Sequence, residues 1–184
     1  MAKSKRTARL VILCEDSQQA VFAKNFFRHH RFDSKKMRFE IGSKGKGSGE
    51  QHVRTQYVEE VKHYRRTSSY SPVGTNLIVI IDADKHTVNS RLNQLDSALE
   101  EDGQPKRQPD EKIAIFVPKR NIETWIHYLM GESVDEAKAY PKLSRERECK
   151  PVVKKLVKTI CPVGLPEDAP PSLHAACEEL QRIL

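Results

Sequence analysis

Two aspartates separated by one residue, Asp82-Ala83-Asp84, follow directly on the aliphatic run Leu77–Ile81. Carboxylates at that spacing, at the end of a buried strand, converge on one side of a sheet edge once the chain leaves the pleat. Such oxygen donors suit a hard divalent cation such as Mg²⁺. Glu15 stands in the same relation to the run Leu10–Cys14, and it joins the aspartates if the two strands are neighbours. That arrangement makes an anionic pocket in an otherwise basic protein. Any one of these acids would serve equally well as a cap or first-turn acid of the helix that follows; their shared position at strand ends favours the metal reading.

The elements that must position these acids are legible in the apolar pattern. Ala8–Cys14, Asn76–Ile81 and Lys112–Val117 are short continuous apolar runs and read as buried parallel strands, while Met37–Ile41 alternates and reads as a weaker one. Helical spacing appears in Ser17–Arg31 (Val21, Phe22, Phe26, Phe27), in Glu50–Arg66 (Val53, Tyr57, Val61, Tyr64) and in Val88–Glu101 (Leu92, Leu95, Leu99). A fourth helix, Asn121–Met130, holds the only tryptophan, Trp125, read as a core residue. This alternation predicts an α/β fold, an open and mostly parallel sheet with helices on both faces and polar chemistry at the carboxyl ends of the strands. Residues 1–140 form that domain. Residues 141–184, punctuated by prolines, predict an appendage with helices over 150–160 and 172–183, packed on the same domain or on a partner and carrying no catalytic group.

Composition narrows the class of function. The 184 residues carry a net charge of +7, and residues 1–66 alone hold 16 Lys+Arg against 7 Asp+Glu, which favours a polyanionic partner. No apolar run approaches the roughly 20 residues of a membrane span, and the apolar stretch after the basic start is too short for a signal peptide. Cys14, Cys149, Cys161 and Cys177 lack C-x-x-C spacing, which argues for reduced thiols and a cytoplasmic protein. The segment Gly42–Gly49 fails the phosphate-loop test because Ser48 stands where lysine is needed. Its Lys44 and Lys46 are instead candidates for contact with a nucleic-acid backbone. His29 and His30 read as helix-end charges.

The order of these features resembles the Toprim domain, the metal-dependent module of topoisomerases, primases and related nucleases. Glu15 after the first strand and Asp82-x-Asp84 after a later one carry the likeness. Phe-Val-Pro-Lys-Arg-Asn-Ile-Glu123-Thr-Trp is similar to a segment of small prokaryotic RloB-like, defence-associated Toprim proteins. The likeness spans residues 8 to about 130. Two positions depart from it: Asp16 stands where the family has glycine, and Gln19 where it has an acid, with Asp16 as the candidate replacement.

The resemblance implies a nuclease that cleaves phosphodiester bonds with Mg²⁺ or Mn²⁺, in anti-phage defence. Glu15, Asp82 and Asp84 would hold metal, Glu123 would serve a second ion or act as general base, and Lys119, Arg120 or Lys85 would stabilise charge on the phosphate. The expected partners are DNA or RNA, an ATPase encoded nearby and further copies of the chain, with no membrane. The alternative is a Toprim-like module without catalysis that binds nucleic acid or serves an ATPase. A haloacid-dehalogenase phosphatase is disfavoured, since His86 occupies the position that motif needs for Thr or Val and the acids sit on the third strand.

Overall fold

A computed structural model describes residues 6–43, 48–68, 70, 73–160 and 163–184. Lys44, Lys46 and Cys161 lie outside the described residues. Four strands, β1 (Arg9–Cys14), β2 (Met37–Ile41), β3 (Thr75–Ile80) and β4 (Ile113–Phe116), form one all-parallel sheet in the order β2-β1-β3-β4. The chain adds β2 on one side of β1 and then crosses to add β3 on the other. The order in which strands are added therefore reverses at the β1–β3 seam, the place where open α/β sheets leave a crevice beyond their carboxyl ends.

Strand alternation assigns each side chain to one of two cores. Leu10, Ile12, Cys14, Ile78, Ile80, Ala114 and Phe116 face α1 (Ser17–His29) and α4 (Ile122–Leu129). Val11, Leu13, Leu77, Val79, Ile113 and Ile115 face α2 (Ser48–Ser68) and α3 (Val88–Glu101). On α2 the buried face is Val53, Tyr57 and Val61, and on α3 it is Leu95 and Leu99, each spaced by four residues as a helix stripe requires. Local chemistry starts these helices. The Asp16 carboxylate accepts from the Gln19 N–H at 3.0 Å to cap α1, and the Thr87 hydroxyl accepts from Ser90 N–H at 3.0 Å to cap α3.

The tail belongs to the first core. Cys149, Val153, Leu156, Val157, Leu173, Ala176, Leu180 and Ile183 pack with the α1 phenylalanines and Trp125. The Trp125 indole N–H donates to the Ser172 hydroxyl at 2.8 Å, fastening α4 to α6 (Pro171–Leu180). Two boundaries differ from expectation. The helix predicted over 150–160 is α-helical only in α5 (Lys150–Lys155) and widens to a π-helical turn over Leu156–Ile160. The widening lies just before Pro162, which has no N–H to continue an α-helical ladder. The last helix begins at Pro171 and ends at Leu180, with Ile183 reaching the core from a turn.

α6 also covers the edge of the sheet. The Glu179 carboxylate accepts from the outward N–H of Ile115 at 2.9 Å and is ion-paired to Arg107. Among the described residues, no helix is long and apolar enough to cross a membrane.

Candidate functional site

β1 and β3 are hydrogen-bonded neighbours, with Leu13 opposite Val79. The residues that follow them, Glu15 and Asp82, therefore emerge side by side. One Glu15 carboxylate oxygen accepts the backbone N–H of Asp82 at 2.6 Å. Glu15 is itself fixed from behind, its N–H donating to the Gln19 side-chain oxygen at 2.8 Å. Gln19, which stands where the resemblance calls for an acid, is fully buried and serves the backbone of Glu15.

Asp82 is buried, and its Oδ1 has no hydrogen-bond partner among the described residues. Glu123, in the first turn of α4, is 1 % exposed, and its Oε1 is likewise unpartnered. Asp84 has a left-handed backbone, φ 54°, and an exposed side chain. That conformation is one which aspartate tolerates better than most residues, and it turns the second carboxylate away from the strand line.

Burial dominates the electrostatics. Burial and the neighbouring Asp84 push the Glu15 carboxyl up to about 7, against the pull of its hydrogen bond from Asp82. Asp82 is raised well above the ordinary carboxylate range by burial and then by Glu15 and Glu123. Glu123 is raised by burial first, with Asp16 adding to it. Cys14, immediately before, is raised by burial and then by these acids, so its thiol is not an activated nucleophile.

Several groups around the acids escaped the sequence reading. Arg91 of α3 is 3 % exposed, and its guanidinium donates to the Asp82 carbonyl at 2.9 Å, to Gln94 at 2.7 Å and to the Asp84 carboxylate at 3.4 Å, with Glu50 of α2 as an ion-pair partner. It clamps both ends of the Asp-x-Asp turn. Its signal was present in the sequence: Arg91, Leu95 and Leu99 share one helix face, so the arginine had to be buried.

Lys142 was missed because it lies in the tail. Its ammonium is 2.7 Å from the Asp16 carboxylate, which raises the lysine further. The tail was expected to carry no catalytic group; it brings Lys142 to the lining of the cleft. The Asn121 side chain holds the Tyr140 carbonyl at 2.9 Å, and Ser17 donates to Glu146 at 2.8 Å, so the segment is pinned across the start of α1.

Lys119 and Arg120 also reach the Asp84 loop, but by its backbone. Lys119 donates to the His86 carbonyl at 2.6 Å and Arg120 to the Asp84 carbonyl at 3.1 Å. Glu15, Asp16, Glu50, Asp84 and Lys142 line an open cleft of about 480 Å³. Gly42 and Gly49 form its wall. A Cβ on Gly42 would stand 2.7 Å from the Glu15 carbonyl oxygen, and one on Gly49 2.8 Å from the same atom. Those two positions have room only for glycine.

The residues fit a hard cation chemically: the donors are oxygens, two of them are orphaned, and burial raises the carboxyls of Glu15, Asp82 and Glu123 alike. Among the described residues, however, no three His, Cys, Asp or Glu side chains stand in metal-holding geometry. One Glu15 oxygen is engaged by the Asp82 backbone, and Asp84 leans toward Arg91. No family model matches the chain, and no curated protein or solved structure gives a significant match.

Proposed function

We propose that this chain is a metal-dependent, Toprim-type nuclease that cleaves phosphodiester bonds. The observation that carries the reading is the seam itself. Glu15 and Asp82 leave adjacent parallel strands at the topological switch point, the Glu15 carboxylate 2.6 Å from the Asp82 backbone nitrogen, with unpartnered Asp82 and Glu123 oxygens beside them. Glu15, Asp82 and Asp84 are the residues that would hold Mg²⁺ or Mn²⁺, with Glu123 available to a second ion. A bound ion would supply a polarised water and neutralise charge on the phosphate.

The chain's own groups supply the rest. Arg91 keeps the Asp82–Asp84 turn in one conformation, and Lys119 and Arg120 hold its outer carbonyls. Lys142 places a positive charge at the mouth of an acidic cleft, where a phosphate oxygen can pair with it once Asp16 is displaced or shared. Glu123 is buried, and burial raises its carboxyl above the ordinary range; it is the group suited to exchange a proton with a reacting oxygen.

A second reading, a nucleic-acid-binding or ATPase-partner module without catalysis, draws on two observations. Gln19 replaces an acid and is spent on the Glu15 backbone, and the Asp16 carboxylate is occupied by capping and by Lys142. Incubation with single- and double-stranded DNA and RNA in Mg²⁺ or Mn²⁺ separates the two. Cleavage that disappears in Glu15→Gln while binding persists supports the nuclease; no cleavage of any of the four substrates supports the module. A role in anti-phage defence with an ATPase partner extends the proposal, and is tested by phage challenge and by co-purification.

A further inference from the structure

Helix α1 contains no Asp or Glu, and neither does the stretch 149–166. These two acid-free elements pack against one another through Phe22, Phe26, Val153 and Leu156. Their solvent side carries Lys24 and Arg28 from α1, and Lys150, Lys154, Lys155 and Lys158 from α5 and the turn after it, all exposed. Among the described residues none of these six makes an ion pair with a carboxylate. Other cations are matched, Arg38 with Glu60, Lys62 with Asp102, Arg65 with Glu111 and Arg107 with Glu179, and what sets this face apart is that both elements that build it are free of acids.

His29 reports how close the charges are. Its imidazole is held below the ordinary range by partial burial and then by Arg28, Lys158 and Lys154 together, so one ring feels cations from both elements. Like charges gathered without counter-charge repel one another unless a polyanion spans them.

We propose that this face, made by the last turns of α1 and by α5 with its following turn, is a second docking surface for the phosphate backbone of nucleic acid. The proposal rests on nucleic acid being the substrate of the cleft. The two surfaces share α1 as a ruler. Asp16, its cap, lines the cleft, and Arg28 lies twelve residues further along, about 18 Å at 1.5 Å per residue or roughly five base pairs of duplex. The acidic cleft repels phosphate by itself, and the basic face supplies the attraction that the cleft lacks.

The test is fluorescence anisotropy with labelled duplex and single-stranded DNA of about 16 nucleotides, long enough to cover both surfaces, across roughly 50 to 200 mM salt with EDTA present. Arg28→Ala/Lys154→Ala/Lys158→Ala should lower the salt slope by about two to three and weaken binding at least tenfold at ~100 mM salt. Lys62→Ala, at a cation already matched by Asp102, should bind as the wild type does. An unchanged slope in the triple variant, or a wild-type chain that binds neither DNA, overturns the proposal. So does a triple variant that keeps DNA binding but loses adhesion to phosphatidylserine vesicles, which would make the face a membrane contact. Because EDTA removes cleavage from the readout, a chain that binds through this face but never cleaves retires the nuclease and leaves the surface standing.

Discussion

The Glu15 carboxylate accepts the backbone N–H of Asp82 at 2.6 Å, so the first acid after β1 is stitched to the chain leaving β3. A side chain commonly read as a free ligand thereby fixes the position of its partner. Gln in place of Glu15 retains an oxygen for this bond while removing the charge, which makes it the cleanest probe of the site.

The pH dependence of stability should run opposite to that of an ordinary salt-bridged acid. Glu15 titrates near 7 when folded and near 4.5 when unfolded, so between those values the folded state binds more protons. Stability is then present below about pH 4.5 and is lost as pH rises toward 7. In EDTA the wild type should be less stable at pH 8 than at pH 5 by on the order of 2 kcal/mol from this group. Thermal melts of Glu15→Gln should show a flatter profile; an equal slope in both proteins would assign the dependence elsewhere.

Divalent metal should reverse that loss. At pH 8, Mg²⁺ or Mn²⁺ at about 100 times its dissociation constant should add about 2.7 kcal/mol, by binding the folded state alone. Asp82→Asn should abolish both this gain and cleavage, while its apo form melts no lower than the wild type, since a buried charge has been removed. Calorimetry with Asp82→Asn that still detects the ion would place the metal somewhere other than the seam.

Gly49→Ala should disturb the site at the backbone. The added Cβ would lie 2.8 Å from the Glu15 carbonyl and 3.1 Å from its Cβ, so Glu15 must move. We expect a loss of about 1–3 kcal/mol and a large drop in cleavage. Gly74→Ala is the control: its Cβ meets nothing within 4 Å. Denaturant midpoints that shift equally in the two variants would deny Gly49 its special role.

Arg91→Met should cost about 1–3 kcal/mol, because it leaves the Asp82 carbonyl without its donor and removes one of the two arginines paired with Glu50. Arg91→Lys should recover little, since an ammonium cannot reproduce the fork that reaches Asp82, Asp84 and Glu50 at once. Urea unfolding of the two variants decides whether the fork or the charge matters.

The sequence reading succeeded where a residue's role follows from its neighbours in the chain. Apolar runs ending in acids marked β1 and β3, and four-residue spacing marked the buried faces of α2 and α3, because strand and helix periods are local properties. Glu15, Asp82 and Asp84 were singled out as acids at strand ends for the same reason, and the structure brings the Glu15 carboxylate to the Asp82 backbone. Lys142 and Glu50 reach the cleft only through tertiary packing, and nothing adjacent to them in sequence announces it. Gly42 and Gly49 were weighed only against the phosphate-loop motif, since the close approach that excludes a Cβ involves Glu15, far away in the chain. Lys44 and Lys46 lie between those glycines, outside the described residues.

The Glu179 carboxylate that completes the hydrogen bonding of β4 at Ile115 comes 64 residues later in the chain. Asn76 of β3 waits longer still, donating to the Ile183 carbonyl across 107 residues. During synthesis the sheet is therefore laid down well before the residues that seal it exist. A nascent chain paused anywhere between β4 and α6 presents an uncovered edge and an open aromatic core to whatever is nearby. Translation speed through the proline-rich tail thus becomes a determinant of yield, and slowing it should favour capture by chaperones over native folding.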